Sequence, residues 1–261
     1  MNRTGIEWCD YTWNPIVGCS PASEGCANCY ARRMARRLAA NPKLPEPTRS
    51  AYGLALADDG REWARPACLT LRPERLCEPA RVKKPARIFV CSMSDIAHPN
   101  VLPVWRTAII DAMLAAPWHT YIVLTKRPGP WMQELPKTCW VGVTAENQAR
   151  ANERIPELLR YPVAVRFVSV EPMLGPVDLC GLVTNGVCLN SLDWVIAGPE
   201  TGRGARECRV EWIGALAEQC GNAGVPFFDK RKTWLRREWP EDLRAGRVAR
   251  PGERDKQTEG R

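Results

Sequence analysis

Along this chain a short apolar run repeatedly breaks off into polar or charged residues, and helical sequence then follows. Arg87–Cys91 ends at Ser92-Met-Ser-Asp95, His119–Leu124 at Thr125-Lys-Arg-Pro128, and Cys139–Val143 at Thr144-Ala-Glu-Asn147. Val163–Val170 ends at Glu171-Pro-Met173, Trp194–Ala197 at Gly198-Pro-Glu-Thr-Gly202, and Val225–Phe228 at Asp229-Lys-Arg231. Helical spacing covers about 27–40, 103–116, 148–160 and 210–223. Short apolar strands separated by helices imply parallel pairing through right-handed crossovers. With an extended segment at 6–18 the count is six or seven strands rather than eight, so the expected fold is α/β, a partial, open barrel. In such folds ligands bind at the carboxyl edge of the strands, where these polar residues fall. Any one of them is more simply a helix cap or a loop ion pair. The series as a whole is not.

The stretch Trp13–Tyr30, WNPIVGCSPASEGCANCY, places Cys19, Cys26 and Cys29 in a C-x6-C-x2-C spacing. A structural zinc takes four protein ligands, and a cubane iron–sulfur cluster needs a ligand for each of its four irons. Three thiols leave one iron open to bind and activate something else. That arrangement is expected of an enzyme that uses a [4Fe–4S] cluster to cleave S-adenosylmethionine. A zinc knuckle completed by a histidine, or free cysteines, are the plainer readings. No apolar run is long enough to span a bilayer, and the N-terminus MNRTGIEWCDYTW is polar and aromatic, so a cytoplasmic protein is expected. In a reducing compartment the 12 cysteines argue for metal rather than for a disulfide framework. Cys180, Cys188, Cys208 and Cys220 form no C-x2-C pair and read as inert thiols. Of two histidines, His119 lies in an apolar run and reads as structural, while His98 follows the Ser92–Asp95 loop and could face the site.

Thirty-seven Lys and Arg against 29 Asp and Glu give a net charge of +8. The excess suits a polyanion such as nucleic acid, or an ordinary basic surface. Residues 32–37 are arginine-rich, and 230–237 read KRKTWLRR, from Lys230 and Arg231 through Lys232, Trp234, Arg236 and Arg237. Phosphate contacts with a tryptophan to stack on a base would use such a stretch, and a solvated terminal helix would look the same. Residues 43–85, rich in proline and charge, read as a long excursion with at most short helices. One domain is expected over 1–240, followed by a flexible basic tail at 241–261.

The stretches TWNPIVGC, EGCANCYARRMARRL, KKPARIFVCSMSDIAHP, IVLTKRP, WVGVTAENQARANERIPELL, VRFVSVEPMLGPVDL and LDWVIAGPETGRGAR carry a resemblance. Together with LRPERL and AGVPFF they run from near residue 5 to about 230. The chain resembles the radical S-adenosylmethionine-like family known from phage genomes, of the DUF5131 or phage protein Gp37/Gp68 type. It departs from that pattern at Gly198-Pro-Glu-Thr-Gly202, where relatives tend to read Gly-Gly-Glu-Ser-Gly, and at Asp229-Lys-Arg-Lys-Thr233, where they often read Lys-Gln-Trp-Gly. The cysteine spacing also departs from the broader superfamily, where three residues usually separate the first two cysteines.

The resemblance implies a (β/α)6 barrel of the radical S-adenosylmethionine type, with the cluster on Cys19, Cys26 and Cys29 at the carboxyl face of the strands. It implies Ser92, Ser94 and Asp95 on the methionine amino group, and Lys126 and Arg127 on its carboxylate, with Thr125 also among the cofactor-binding residues. Thr144, Glu146 and Asn147 are expected on the ribose, with Glu171 and the turn to Glu200 on adenine or substrate. Asp95, Glu171, Glu200 and Lys230 are the expected catalytic set. The expected activity is an isomerase or mutase that moves a glycyl unit on hypermodified thymine in phage DNA, or on the corresponding nucleotide, in a monomer served by a reducing electron donor. A radical repair reaction, with Cys91 returning a hydrogen atom, and a zinc-binding nucleic-acid module are the rival classes.

Overall fold

Seven strands lie side by side and parallel, in the order in which the chain makes them. The computed structural model describes residues 1–58, 60, 62–180, 189–231, 238 and 240. The parallel strands are β2 (Tyr11–Trp13), β5 (Arg87–Val90), β6 (Thr120–Thr125), β7 (Trp140–Thr144), β8 (Val165–Val170), β9 (Trp194–Ala197) and β10 (Phe227–Asp229). At one edge β1 (Asn2–Arg3) adds antiparallel to β2. Among the described residues nothing pairs β1 with β10, so the sheet is open. The fold is therefore mixed α/β with a mostly parallel central sheet. The sequential order lacks the reversal that makes a switch point in doubly wound sheets.

The two faces of the sheet are covered differently. Ile88, Val123, Val141, Val168 and Val195 belong to one buried cluster with Ile109 and Met113 of α4 (Pro103–Leu114), Ile155 and Leu158 of α5 (Gln148–Leu158), and Ile213 and Leu216 of α6 (Val210–Asn222). The alternate positions carry rings. Phe89, Trp140, Phe167, Trp194 and Phe228 pack with one another and with Trp8 and Cys9, with no helix among them. Trp194 lies 6.1 Å from Trp140, 5.8 Å from Phe167 and 5.9 Å from Phe228, mostly edge to face. Gly142 is required under this packing, because a Cβ there would stand 2.5 Å from the Phe167 ring.

The excursion over 43–85 is more structured than its prolines imply. It holds α2 (Glu46–Leu54), α3 (Glu78–Arg81) and β4 (Thr70–Leu71), which pairs with β3 (Ile16–Val17). A two-residue strand leaves no periodic signal, so this pairing was illegible in sequence. Helix α1 (Tyr30–Ala39) and α2 pack through Ala31, Ala35, Tyr52 and Ala55 into a third cluster that includes Val17 and Trp63. The helix expected from residue 27 starts at Tyr30, because Cys29 has ψ 123° and is not helical. No helix among the described residues is long and apolar enough to cross a membrane. Cys188, the stretch from Lys232 to Arg237 and the tail 241–261 lie outside the described residues.

Candidate functional site

A cavity of about 440 Å³ opens where the parallel strands end. That is within the size range of small-molecule sites, roughly 300–1,000 Å³. Cys19, Cys26 and Cys29 all contribute to its wall, with Trp8, Phe89 and Leu124 as apolar neighbours. Ser92, Ser94 and Asp95 after β5, Thr125, Lys126 and Arg127 around the end of β6, Thr144 of β7 and Ser169 of β8 complete much of it. Glu171, Glu200 and Lys230 line it too. The chain turns sharply off β5 at Cys91, whose φ of 58° lies in the left-handed region, and this swings Ser92–Asp95 over the strand ends.

Most of the polar strand ends hold the cysteine loop. Ser94 donates to the Gly18 carbonyl at 2.7 Å. Gly18 itself has φ 100°, and a Cβ there would stand 2.3 Å from the Cys68 carbonyl, so the excursion closes on the loop at this point. Arg127 donates one nitrogen to Asp95 at 3.1 Å and another to the Ser20 carbonyl at 2.7 Å. His98 accepts from the Asn100 amide at Nδ1, which puts its proton on Nε2, 2.7 Å from Ser20 Oγ. Burial lowers the His98 pKa further, keeping the ring neutral. Ser23 donates to Glu146, and Asn147 donates to Glu24. Arg206 donates to the Glu24 carbonyl at 2.9 Å, and Asn28 donates to Glu200 at 2.8 Å.

Glu146 is the centre of this clamp. It is fully buried, with Lys126 at 3.1 Å and Arg154 at 3.0 Å. Burial opposes its ionisation, but Lys126, Ser23 and Arg154 outweigh it and hold the carboxyl below the usual carboxylate range. Gly25 lies directly against it, since a Cβ at Gly25 would stand 2.3 Å from Glu146 Oε1. Glu200 is held at about 2, first by Arg206 and then by Asn28. Glu24 is held at about 2 as well, by its own backbone amide, Asn147 and Arg150.

These contacts revise several expectations. Asp95 lines the cavity, but it already accepts from the Ala97 amide, Thr125 Oγ1, the Lys126 amide and Arg127. Four donors fill its lone-pair directions, so it positions neighbours and has none left for a ligand's ammonium. Thr125 is likewise engaged, donating to Asp95 and accepting from the Arg127 amide. Glu146 and Asn147 do not line the cavity; they brace the loop from behind. Glu200 is consumed by Asn28 and Arg206. Ser92 pairs with Asn14, and Lys230 bonds Glu171 at 2.5 Å inside the cavity. His119 is structural, bonded to the Pro79 carbonyl.

Two buried hydroxyls remain. Thr144 and Ser169 face each other in register on β7 and β8, line the cavity, and have no hydrogen-bond partner among the described residues. The Trp8 indole nitrogen, in the same wall, is also buried without a partner. Ser169 went unnoticed in sequence because it stands inside an apolar strand, where only the register reveals its direction. Arg206 and Asn28 were missed because their partners are more than 170 residues away in one case and lie in a loop without periodicity in the other.

The fit to an iron–sulfur cluster rests on the thiols' surroundings. Burial first, then Asp95, pushes the Cys19 thiol up to about 12, so a thiolate there needs a positive partner such as a metal. The Ala22 amide donates to Cys26 Sγ at 3.4 Å, the kind of hydrogen bond that tunes cluster sulfurs. Cys29 stands at the N-terminus of α1, where the helix dipole favours negative charge. No three His, Cys, Asp or Glu side chains among the described residues are gathered closely enough to hold a single metal ion. A cubane makes a different demand, one thiolate at each of three separate corners.

Fold and site together define an α/β protein with a three-cysteine loop clamped over a cavity at the carboxyl ends of parallel strands. The chain belongs to the family described as protein of unknown function (DUF5131), whose pattern matches residues 3–261. No curated protein and no solved structure matches it.

Proposed function

We propose that the chain is a radical S-adenosylmethionine enzyme with a partial (β/α)6 barrel of that class, Cys19, Cys26 and Cys29 holding a [4Fe–4S] cluster. The observation that carries the reading is the common cavity. Three thiols from one loop share a wall with unpartnered hydroxyls at the strand ends, while the remaining strand-end residues fix that loop. Held by Cys19, Cys26 and Cys29, the cluster with S-adenosylmethionine would supply radical removal of an unactivated hydrogen. The chain's own task is to bind, orient and exclude water. Thr144 and Ser169 offer hydroxyls to a ribose, and the Trp8 N–H is a free donor in the same wall. Glu171 and Lys230 hold each other in place of a ligand, and a substrate with a complementary acceptor would draw Lys230 away. The narrower substrate, a glycyl-bearing thymine of phage DNA, rests on the family resemblance.

Anaerobic reconstitution with iron and sulfide, followed by S-adenosylmethionine and dithionite as electron donor, tests the proposal. About four irons per chain, a brown colour and release of 5′-deoxyadenosine are expected. Cys26→Ala should lose all three, and Cys180→Ala should keep them. Stoichiometric zinc without colour, or a full cluster in Cys26→Ala, overturns the reading.

A further inference from the structure

On helix α1 and the loop it touches, guanidinium groups outnumber carboxylates, and Arg33 of this set lines the cavity. Helix α1 carries Arg32, Arg33, Arg36 and Arg37 and no acid, and the loop 201–209 carries Arg203, Arg206 and Arg209 against Glu207 alone. Three of these are neutralised, Arg32 by Glu62 at 2.5 Å, Arg206 by Glu200 at 2.6 Å and Arg209 by Glu207 at 3.4 Å. Arg33 reaches only the Thr201 carbonyl, at 2.8 Å. Arg36, Arg37 and Arg203 are exposed, with no carboxylate partner among the described residues. The Arg33–Thr201 bond ties α1 to the loop beside Arg203, and Arg36 and Arg37 follow Arg33 at i+3 and i+4 on the helix, so the four unneutralised groups lie along one rim. Gly202 allows this contact, since a Cβ there would stand 2.4 Å from an Arg33 nitrogen.

Tyr30 opens this rim. It lines the cavity, its hydroxyl bonds the Ser92 carbonyl, and 49% of it is exposed. An exposed aromatic ring pinned at a cavity mouth is a stacking platform for a base. Every cation of the rim is arginine, whose planar fork matches phosphate oxygens in pairs where lysine offers a point charge.

We propose that α1 and the 199–206 loop form a docking rim for a single strand of nucleic acid. Arg33, Arg36, Arg37 and Arg203 take the phosphates, and one base passes Tyr30 into the cavity. This deepens the function proposed above by naming the surface that would hold a nucleic-acid substrate, and it stands on the rim's own charge rather than on the cluster.

The test is fluorescence anisotropy of a labelled single-stranded oligonucleotide about a dozen nucleotides long, with the full chain, between about 50 and about 200 mM salt. Four phosphate contacts on a single strand give a log–log slope near −2.8, so affinity should fall about 50-fold across that range. In Arg36→Glu/Arg37→Glu/Arg203→Glu one contact remains, and the fall should shrink to about threefold. Circular dichroism and iron content of this variant should match wild type, which separates failure of the rim from failure of the cluster reading. Equal slopes in the two proteins overturn the proposal. So does binding of poly-glutamate with the same slope and affinity, which would make the rim a surface for acidic protein.

Discussion

Glu146 shows how much one side chain carries in this protein. It pairs with Lys126 and Arg154 and accepts from Ser23 of the cysteine loop, and both it and Arg154 are shut off from water. Removing one partner of a buried ion pair strands the other, at a cost of about 3–5 kcal/mol. Glu146→Gln is therefore expected to lower unfolding free energy by that amount in urea, with Arg154 left as the uncompensated charge. Glu200 makes a pH-dependent counterpart. Its folded carboxyl titrates at about 2 against 4.5 ordinarily, mainly because Arg206 prefers it ionised. A depressed acid stabilises the fold fully above its unfolded value, and that contribution disappears as pH falls through the folded one. The melting-temperature gap between wild type and Glu200→Gln should be constant above about pH 5 and close toward about pH 2. A gap that widens on acidification would contradict the assignment.

At the scale of elements, the strand ends act together as a clamp on one loop. Arg127, at the end of β6, joins Asp95 to Ser20, the residue next to Cys19. Lysine keeps the charge but lacks the fork to reach both. A charged hydrogen bond contributes about 1.5–3 kcal/mol. Arg127→Lys should therefore speed alkylation of Cys19 in the metal-free protein about tenfold or more, read by peptide mass spectrometry, while Cys139 in the core stays protected. Unchanged Cys19 reactivity would mean that the loop is held without Arg127. The clamp was only partly legible in sequence. Residue types at the strand ends marked the right edge of the sheet, yet Asp95, Glu146, Asn147 and Glu200 were expected on a ligand. Their partners, Thr125 and Arg127 for Asp95, Ser23 for Glu146, Glu24 for Asn147 and Asn28 for Glu200, come from other segments, and sequence spacing does not reveal which partner a side chain meets first.

Across the whole molecule, one face of the sheet relies on helices and the other on its own rings. Trp194 lies at the centre of the ring face, fully buried and in contact with Trp140, Phe167 and Phe228. Trp194→Ala should cost about 3–5 kcal/mol, because the surrounding rings cannot collapse into so large a void. A fall in the urea midpoint with loss of near-ultraviolet dichroism would register it. A loss below about 1 kcal/mol would show that the ring face is loosely packed.

The sequence by itself determined the alternation of strands and helices, the parallel pairing, and the edge at which a site would form. Each follows from local rules, apolar runs that must be buried and helical periodicity between them. The nearness of Cys19, Cys26 and Cys29 was also written in their spacing. Tertiary structure alone decided which polar residues face a ligand. The register of β7 on β8 set Thr144 beside Ser169. Long-range contacts with Ser23 and Asn28 turned Glu146 and Glu200 into braces, and the β3–β4 pairing drew the excursion onto the loop at Gly18. The physical reason is that a hydrogen bond is directional and satisfied once, so a polar group's role depends on which partner the fold brings within reach.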